Sequence, residues 1–310
     1  MWPVLVVGQV LDCWAQPLTH VRLMRHRLMG TLFHPAAADA PIVRRILCEE
    51  PDVNDLLTRQ RTDRILYVCL LLAGLLGIMV GVPYTIAVLM DPAAGGPVDP
   101  RVVWLSAVAE ALFLLAPASA VGVWLGEKVG LGPRLLRELV SRIPGGWDRL
   151  RSSLRPSMLV GLTMGVLGLC QYSLPAGALG PGLDAPSTFE YFLRSLSAAL
   201  TEEILFRLGL LTFFVWVIRS VVKKPALDAP SLWAGNVLAA LMFAGAHLPH
   251  MVTFGSTTWD LLIPIVMGST GVGFILGWLY IRYGLIGAIV AHFIADLVLY
   301  VIPRLLGVIA

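Results

Sequence analysis

The chain has 310 residues, of which 57% are hydrophobic and only 14% charged, with a formal net charge of +3. Its mean hydropathy is +0.79. A soluble domain carries roughly 25% charged residues, and a water-soluble globule of this composition would expose far too much apolar surface. A secreted disulfide scaffold, a disordered chain and an ordinary cytosolic enzyme are therefore disfavoured. The expected class is all-α, a polytopic transmembrane helix bundle in a lipid bilayer. The four cysteines, Cys13, Cys48, Cys69 and Cys170, are widely separated and form no CxxC pair, so no disulfide framework or zinc knuckle is expected. Lys and Arg flank apolar runs and do not form an aromatic-interleaved patch, so no nucleic-acid partner is expected.

Met1 to Leu11 is apolar but lacks a basic start and is too short to span a bilayer. Met24 or Met29 would serve equally well as a start. Residues 1–64 are expected to be a cytoplasmic extension, partly disordered. A span needs about 20 apolar residues. Seven runs qualify: Ile65 to Met90, Val102 to Leu125, Ser157 to Ala176, Tyr191 to Ile218, Leu232 to Leu248, Leu261 to Ile281 and Leu285 to Pro303. An eighth or re-entrant segment would change the parity. Asp91 to Pro100 and Gly177 to Pro186 are turn regions rich in Gly and Pro. Gly126 to Pro156 is a basic linker long enough for an amphipathic helix, and Tyr283-Gly284 is a tight turn. The spacing divides the chain into the extension, residues 65–156 with two spans and the basic linker, and a membrane core of five spans over 157–310.

Basic residues alternate sharply along this order. Arg22, Arg25, Arg27, Arg44, Arg45, Arg59, Arg61 and Arg64 precede the first run, Lys128, Arg134, Arg137, Arg142, Arg149, Arg151 and Arg155 follow the second, Arg219, Lys223 and Lys224 follow the fourth, and Arg282 follows the sixth. The other connections carry little more than Arg101 and Arg304, with Arg194 just inside the fourth run as a further exception. This asymmetry predicts a cytoplasmic amino terminus and, with seven spans, an external carboxyl terminus. A bacterial inner membrane is the expected location. Trp104, Trp124, Trp259 and Trp278 lie near run ends as interfacial anchors. Gly77-xxx-Gly81, Gly161-xxx-Gly165 and Gly273-xxx-Gly277 match the pattern that lets helix backbones approach. The expectation is packing within the bundle, with dimerisation through one of them as the alternative.

Ionisable residues inside spans are costly, so they mark function. The fourth run holds Glu202, Glu203 and Arg207, the fifth ends with Phe243 and His247, and the seventh holds His292 and Asp296. The second carries Glu110, read as structural or beside an aqueous cavity. Residues four apart share a helix face, which pairs Glu203 with Arg207, Phe243 with His247, and His292 with Asp296. Glu202 is rotated by about 100° from Glu203 and is the freer carboxylate. If these helices meet, one pocket holds Glu202, His247, His292 and Asp296. A carboxylate and an imidazole can together deprotonate water, and a second imidazole can stabilise the oxyanion of a tetrahedral intermediate. The implied chemistry is amide hydrolysis in or near the bilayer. Counted from the run ends, Glu202 and His247 fall toward the outer half and His292 nearer the inner half.

The three segments resemble the motifs of the CPBP family, the Abi-like intramembrane glutamic endopeptidases that include the eukaryotic CAAX-prenyl endopeptidase and bacteriocin-processing relatives. The family pattern is EExxxR, FxxxH and HxxxN or HxxxD. Here it stands as Glu202-Glu203-xxx-Arg207, Phe243-xxx-His247 and His292-xxx-Asp296, over roughly Leu193 to Leu299. The resemblance implies that Glu202 and His247 activate water, that His292 and Asp296 form the oxyanion side, and that Glu203, Arg207 and Phe243 support them. It implies a membrane-associated protein or peptide as substrate, and no cofactor or metal. An Asn in the last position could donate a hydrogen bond and an ionised Asp cannot, so Asp296 is either protonated or orients His292.

Three other readings stay open. Two His and one Glu are a legitimate zinc set, so a zinc-dependent hydrolase could use the same scaffold. A non-catalytic membrane scaffold or immunity protein would keep the bundle without the chemistry. A proton-coupled transporter could also bury carboxylates and His, although no paired broken helices support it.

Overall fold

Apolar runs of this length can hide their backbone polar groups in lipid only as helices, and helices are what form. The computed structural model describes residues 53–90, 99–172, 186–223, 228–253 and 259–308. Among these described residues there is no strand, and seven helices are long and apolar enough to cross a membrane. In chain order they are α1 (Val53–Met90), α2 (Pro100–Val129), then α4 (Gly146–Tyr172) and α5 (Thr188–Val222). The last three are α6 (Asp228–Thr253), α7 (Trp259–Tyr283) and α8 (Leu285–Leu305). A short helix, α3 (Arg134–Val140), lies in the basic linker. The expected all-α architecture is observed, and among the described residues the helices long and apolar enough to cross a membrane number seven, as the apolar runs predict. The chain up to residue 52, with Met1–Leu11, Cys13 and Cys48, lies outside the described residues, as do most of the two Gly/Pro-rich connections and the side chains of His250 and Trp259. Residues Arg59–Ala310 form one compact unit.

Two helices start well upstream of their apolar runs, for a physical reason. α1 begins at Val53, upstream of Ile65, because the polar stretch before the run continues the helix. There Asp63 is bound by Arg137 of α3, which also reaches Glu127 at 3.1 Å. α4 begins at Gly146 and takes up the second half of the basic linker. The turn at Tyr283-Gly284 is as expected. A single residue, Gly284 with φ +82°, separates α7 from α8, a backbone conformation that suits glycine.

The glycine pairs are spent inside the molecule. A Cβ at Gly77 would lie 2.9 Å from Thr201 Cγ2 and one at Gly81 would overlap Ser197 Oγ, so α1 seats α5. A Cβ at Gly161 would overlap the Ala291 carbonyl oxygen and one at Gly165 would lie 2.5 Å from Val298, so α4 seats α8. A Cβ at Gly273 would lie 3.0 Å from the Ala240 Cα and one at Gly277 would overlap Asn236, so α7 seats α6. Each pair grips one of the three motif-bearing helices. The outward faces remain apolar, with Leu105, Phe113 and Met267 exposed, which suits acyl chains and not water.

Candidate active site

α5 starts with a capping box: the Ser187 hydroxyl accepts from the Glu190 backbone N–H, and the Glu190 carboxylate accepts from the Ser187 N–H. The helix is regular to Glu202. From Glu203 to Leu211 it becomes a π-helix, a conformation rare enough that it concentrates at functional sites. Glu203 and Arg207 are 0% and 1% exposed, and Arg207 Nη1 lies 3.1 Å from Glu203 Oε1. The Arg207 Nη2 donates to the carbonyl of Gly273 on α7 at 3.4 Å.

The same Glu203 oxygen has a second partner. His292 Nδ1 on α8 stands 2.7 Å from Oε1. An ionised carboxylate only accepts, so Nδ1 carries the proton and donates it. Nε2 then faces Glu202 Oε2 and Asp296 Oδ2, each at 3.9 Å. Glu203 thus orients the imidazole as a carboxylate behind a catalytic histidine does.

Phe243 of α6 joins the three segments. Its ring is 3% exposed and lies 4.4 Å from the Arg207 guanidinium carbon. The ring centroid is 4.7 Å from that of His247 and 6.3 Å from that of His292. Phe206, on α5, meets it edge-on at 5.2 Å. His247 Nδ1 is 2.8 Å from the Phe243 carbonyl oxygen. That oxygen can only accept, so Nδ1 holds the proton of neutral His247 and Nε2 keeps its lone pair. His247 is half-buried and within electrostatic reach of Asp296.

Asp296 has a partner from the start of α5. Arg194 Nη1 lies 3.6 Å from Asp296 Oδ2, and the guanidinium sits over the rings of Tyr84 and Tyr300 at 5.5 and 5.0 Å. Sequence reasoning saw Arg194 only as an exception to the charge asymmetry. The two residues are too far apart along the chain to give a local signal, although a lone arginine inside a span was itself the clue. Glu110 of α2 is half-buried and within electrostatic reach of Glu202, so it borders the site.

Glu202, Glu203, Arg207, Phe243, His292 and Asp296 therefore meet, and His247 joins them through Phe243. Counting from run ends puts Glu202 and His292 in different halves of the bilayer, and their side chains meet, with Glu202 Oε2 and His292 Nε2 3.9 Å apart. Glu203 and Asp296 each have an arginine, whereas Glu202 has none within 4 Å among the described residues and its side chain is 26% exposed. Among the described residues no group of three or more His, Cys, Asp or Glu is arranged to hold a metal ion. A cavity of about 410 Å³ lies elsewhere, lined by Met79, Val82, Pro83, Ile86, Ala87, Trp104 and Glu190.

Residues 184–298 match the family model "Type II CAAX prenyl endopeptidase Rce1-like". The match spans all three motifs and agrees with the resemblance to CAAX-type membrane proteases. No curated protein and no solved structure matches the chain.

Proposed function

We propose that this chain is an intramembrane endopeptidase of the glutamic type, hydrolysing a peptide bond of a membrane-associated protein or peptide. The observation that carries the reading is the contrast between the two adjacent glutamates. Glu203 is sealed and bound by Arg207 and His292, while Glu202 is partly open and faces an imidazole edge. A general base needs the second environment.

In this reading Glu202, assisted by the free Nε2 of His247, takes a proton from water, and the hydroxide attacks the scissile carbonyl carbon. The oxyanion that forms is met by the imidazolium of His292, whose Nδ1–H is committed to Glu203. The C–N bond breaks as the proton held by Glu202 passes to the leaving nitrogen. Asp296 orients His292, and Glu203, Arg207 and Phe243 hold the frame. Residues 157–310 are the catalytic core, the amino terminus is cytoplasmic, and the membrane is a bacterial inner membrane. The family description names prenylated CAAX substrates, so the first probe is a farnesylated, internally quenched CAAX peptide.

The test compares wild-type chain with Glu202→Gln in proteoliposomes containing that peptide. General-base loss is expected to lower the rate by about 10²–10⁴-fold. Equal rates in the two proteins overturn the reading.

A further inference from the structure

The second arginine of the cluster has no place in the three motifs, and its surroundings say what it does. Arg194 lies two helical turns before Glu202 on α5 and reaches across to α8. Its Nη1 is 3.6 Å from Asp296 Oδ2, and the same oxygen is 3.9 Å from His292 Nε2. Arg194 and Asp296 side chains are 23% and 12% exposed, so solvent screens this pair only in part. Two aromatic faces, Tyr84 of α1 and Tyr300 of α8, hold the guanidinium in place, and Tyr191 supports both rings at centroid distances of 5.3 and 6.0 Å.

Consider the charges that face Asp296. Glu202 and Asp296 both approach His292 Nε2 at 3.9 Å, so two carboxylates share one imidazole edge. Like charges in one site cannot both stay ionised without compensation. His292 as an imidazolium can offset one of the two, and Arg207 is occupied by Glu203. Arg194 is the cation placed to compensate Asp296. Where the last motif position is Asn, no such cation is required, because an amide is neutral.

We propose that Arg194 is a positioning residue of the proteolytic site, acting through Asp296. It balances the Asp296 carboxylate, so that Asp296 holds His292 and Glu202 remains the base. Arg194 and Asp296 together form a charged unit equivalent to a single neutral amide. The inference rests on the protease reading above and adds a residue to it.

The experiment is a double-mutant cycle on the farnesylated CAAX peptide in proteoliposomes, with Glu202→Gln as the control. Arg194→Gln is expected to lower kcat by about 10–100-fold with KM within about twofold. Arg194→Lys, which restores charge, is expected to recover most of that loss. Asp296→Asn alone strands the arginine and is expected to be slower than wild type. The decisive protein is Arg194→Gln/Asp296→Asn, expected within a few-fold of wild type. A double variant as slow as Arg194→Gln, or Arg194→Gln at wild-type rate, overturns the inference while an inactive Glu202→Gln leaves the protease reading standing. A Glu202→Gln protein as active as wild type, or a wild type that cleaves nothing, removes that reading and the inference with it. Arg194 as a mere structural brace gives the same loss whether Asp296 is intact or carries the Asp296→Asn change, which also overturns it.

Discussion

Glu203 Oε1 lies 2.7 Å from His292 Nδ1, across 89 residues of chain, while Arg207 approaches the same oxygen at 3.1 Å. One carboxylate oxygen therefore fixes both an ion pair within α5 and the imidazole of α8. A sealed ion pair is weak evidence for stability in its own right, since apolar replacement of both partners is often neutral. Its use here is to aim His292.

That separation of roles can be measured. Glu203→Gln leaves Arg207 buried without its counter-charge and is expected to cost about 3–5 kcal/mol of stability, along with most activity. Glu203→Leu/Arg207→Leu is expected to regain stability but not activity, because His292 loses its acceptor. Unfolding in detergent and peptide release, followed on the same samples, check the two outcomes.

His247 gives a second prediction. Its Nδ1 proton is committed to the Phe243 carbonyl, so Nε2 is the reactive nitrogen. His247→Ala is expected to lower kcat by about 10²–10⁴-fold with little change in unfolding temperature, since the side chain is only half-buried. A large loss of unfolding temperature with kcat retained would assign the residue to packing.

Phe243 connects Arg207, His247 and His292 through one ring face and edge. Phe243→Leu keeps an apolar side chain but removes the cation–π contact, worth roughly 2 kcal/mol when desolvated. Activity is expected to fall about tenfold or more, beyond the effect on stability. Phe243→Tyr or Trp, keeping an aromatic face, tests whether the ring is what matters.

The glycine contacts predict the effect of volume. At Gly161 even a methyl group would collide with the Ala291 carbonyl oxygen, next to His292. Gly161→Val is expected to destabilise by about 1–3 kcal/mol through overpacking and to disturb the His292 position. Gly245 and Gly271, whose added Cβ would meet nothing within 4 Å, are the matched controls for alanine substitution.

Metal dependence is the remaining check. Chelation with 1,10-phenanthroline is expected to leave peptide cleavage unchanged, and metal analysis of the purified protein to give less than stoichiometric zinc. Stoichiometric zinc with cleavage abolished by chelation supports the zinc hydrolase reading instead.

Composition and apolar run length were enough to read the bundle, because lipid leaves the backbone few options. The i,i+4 pairs were legible too: Glu203 with Arg207 and His292 with Asp296 lie on common faces as the helical period requires. What stayed hidden depends on how helices meet. Arg194 finds Asp296 only because α5 and α8 pack together, and no period in the chain relates them. Glu203 had one visible partner in sequence and acquired a second from α8. The glycine pairs could be recognised as close contacts, but which helix each one grips is a property of the assembled bundle.

The π-helical stretch Glu203–Leu211 has a consequence for indels. Its i→i+5 bonding introduces a phase slip between the Glu202 side of α5 and the part beginning at Thr212. An i→i+5 turn holds one residue more than an α turn, so deleting one residue within the stretch lets it relax to ordinary α geometry with its hydrogen bonds kept and its two flanks near their present phase, whereas deleting one from the regular turns before Glu202 rotates the flanks against each other by about 100° and draws them in by about 1.5 Å. After a deletion in those regular turns, Arg194 and Glu202 could no longer both keep their neighbours. The regular turns between Arg194 and Glu202 are thus where the length of α5 is fixed most strictly, and the π stretch is where it has a residue to spare.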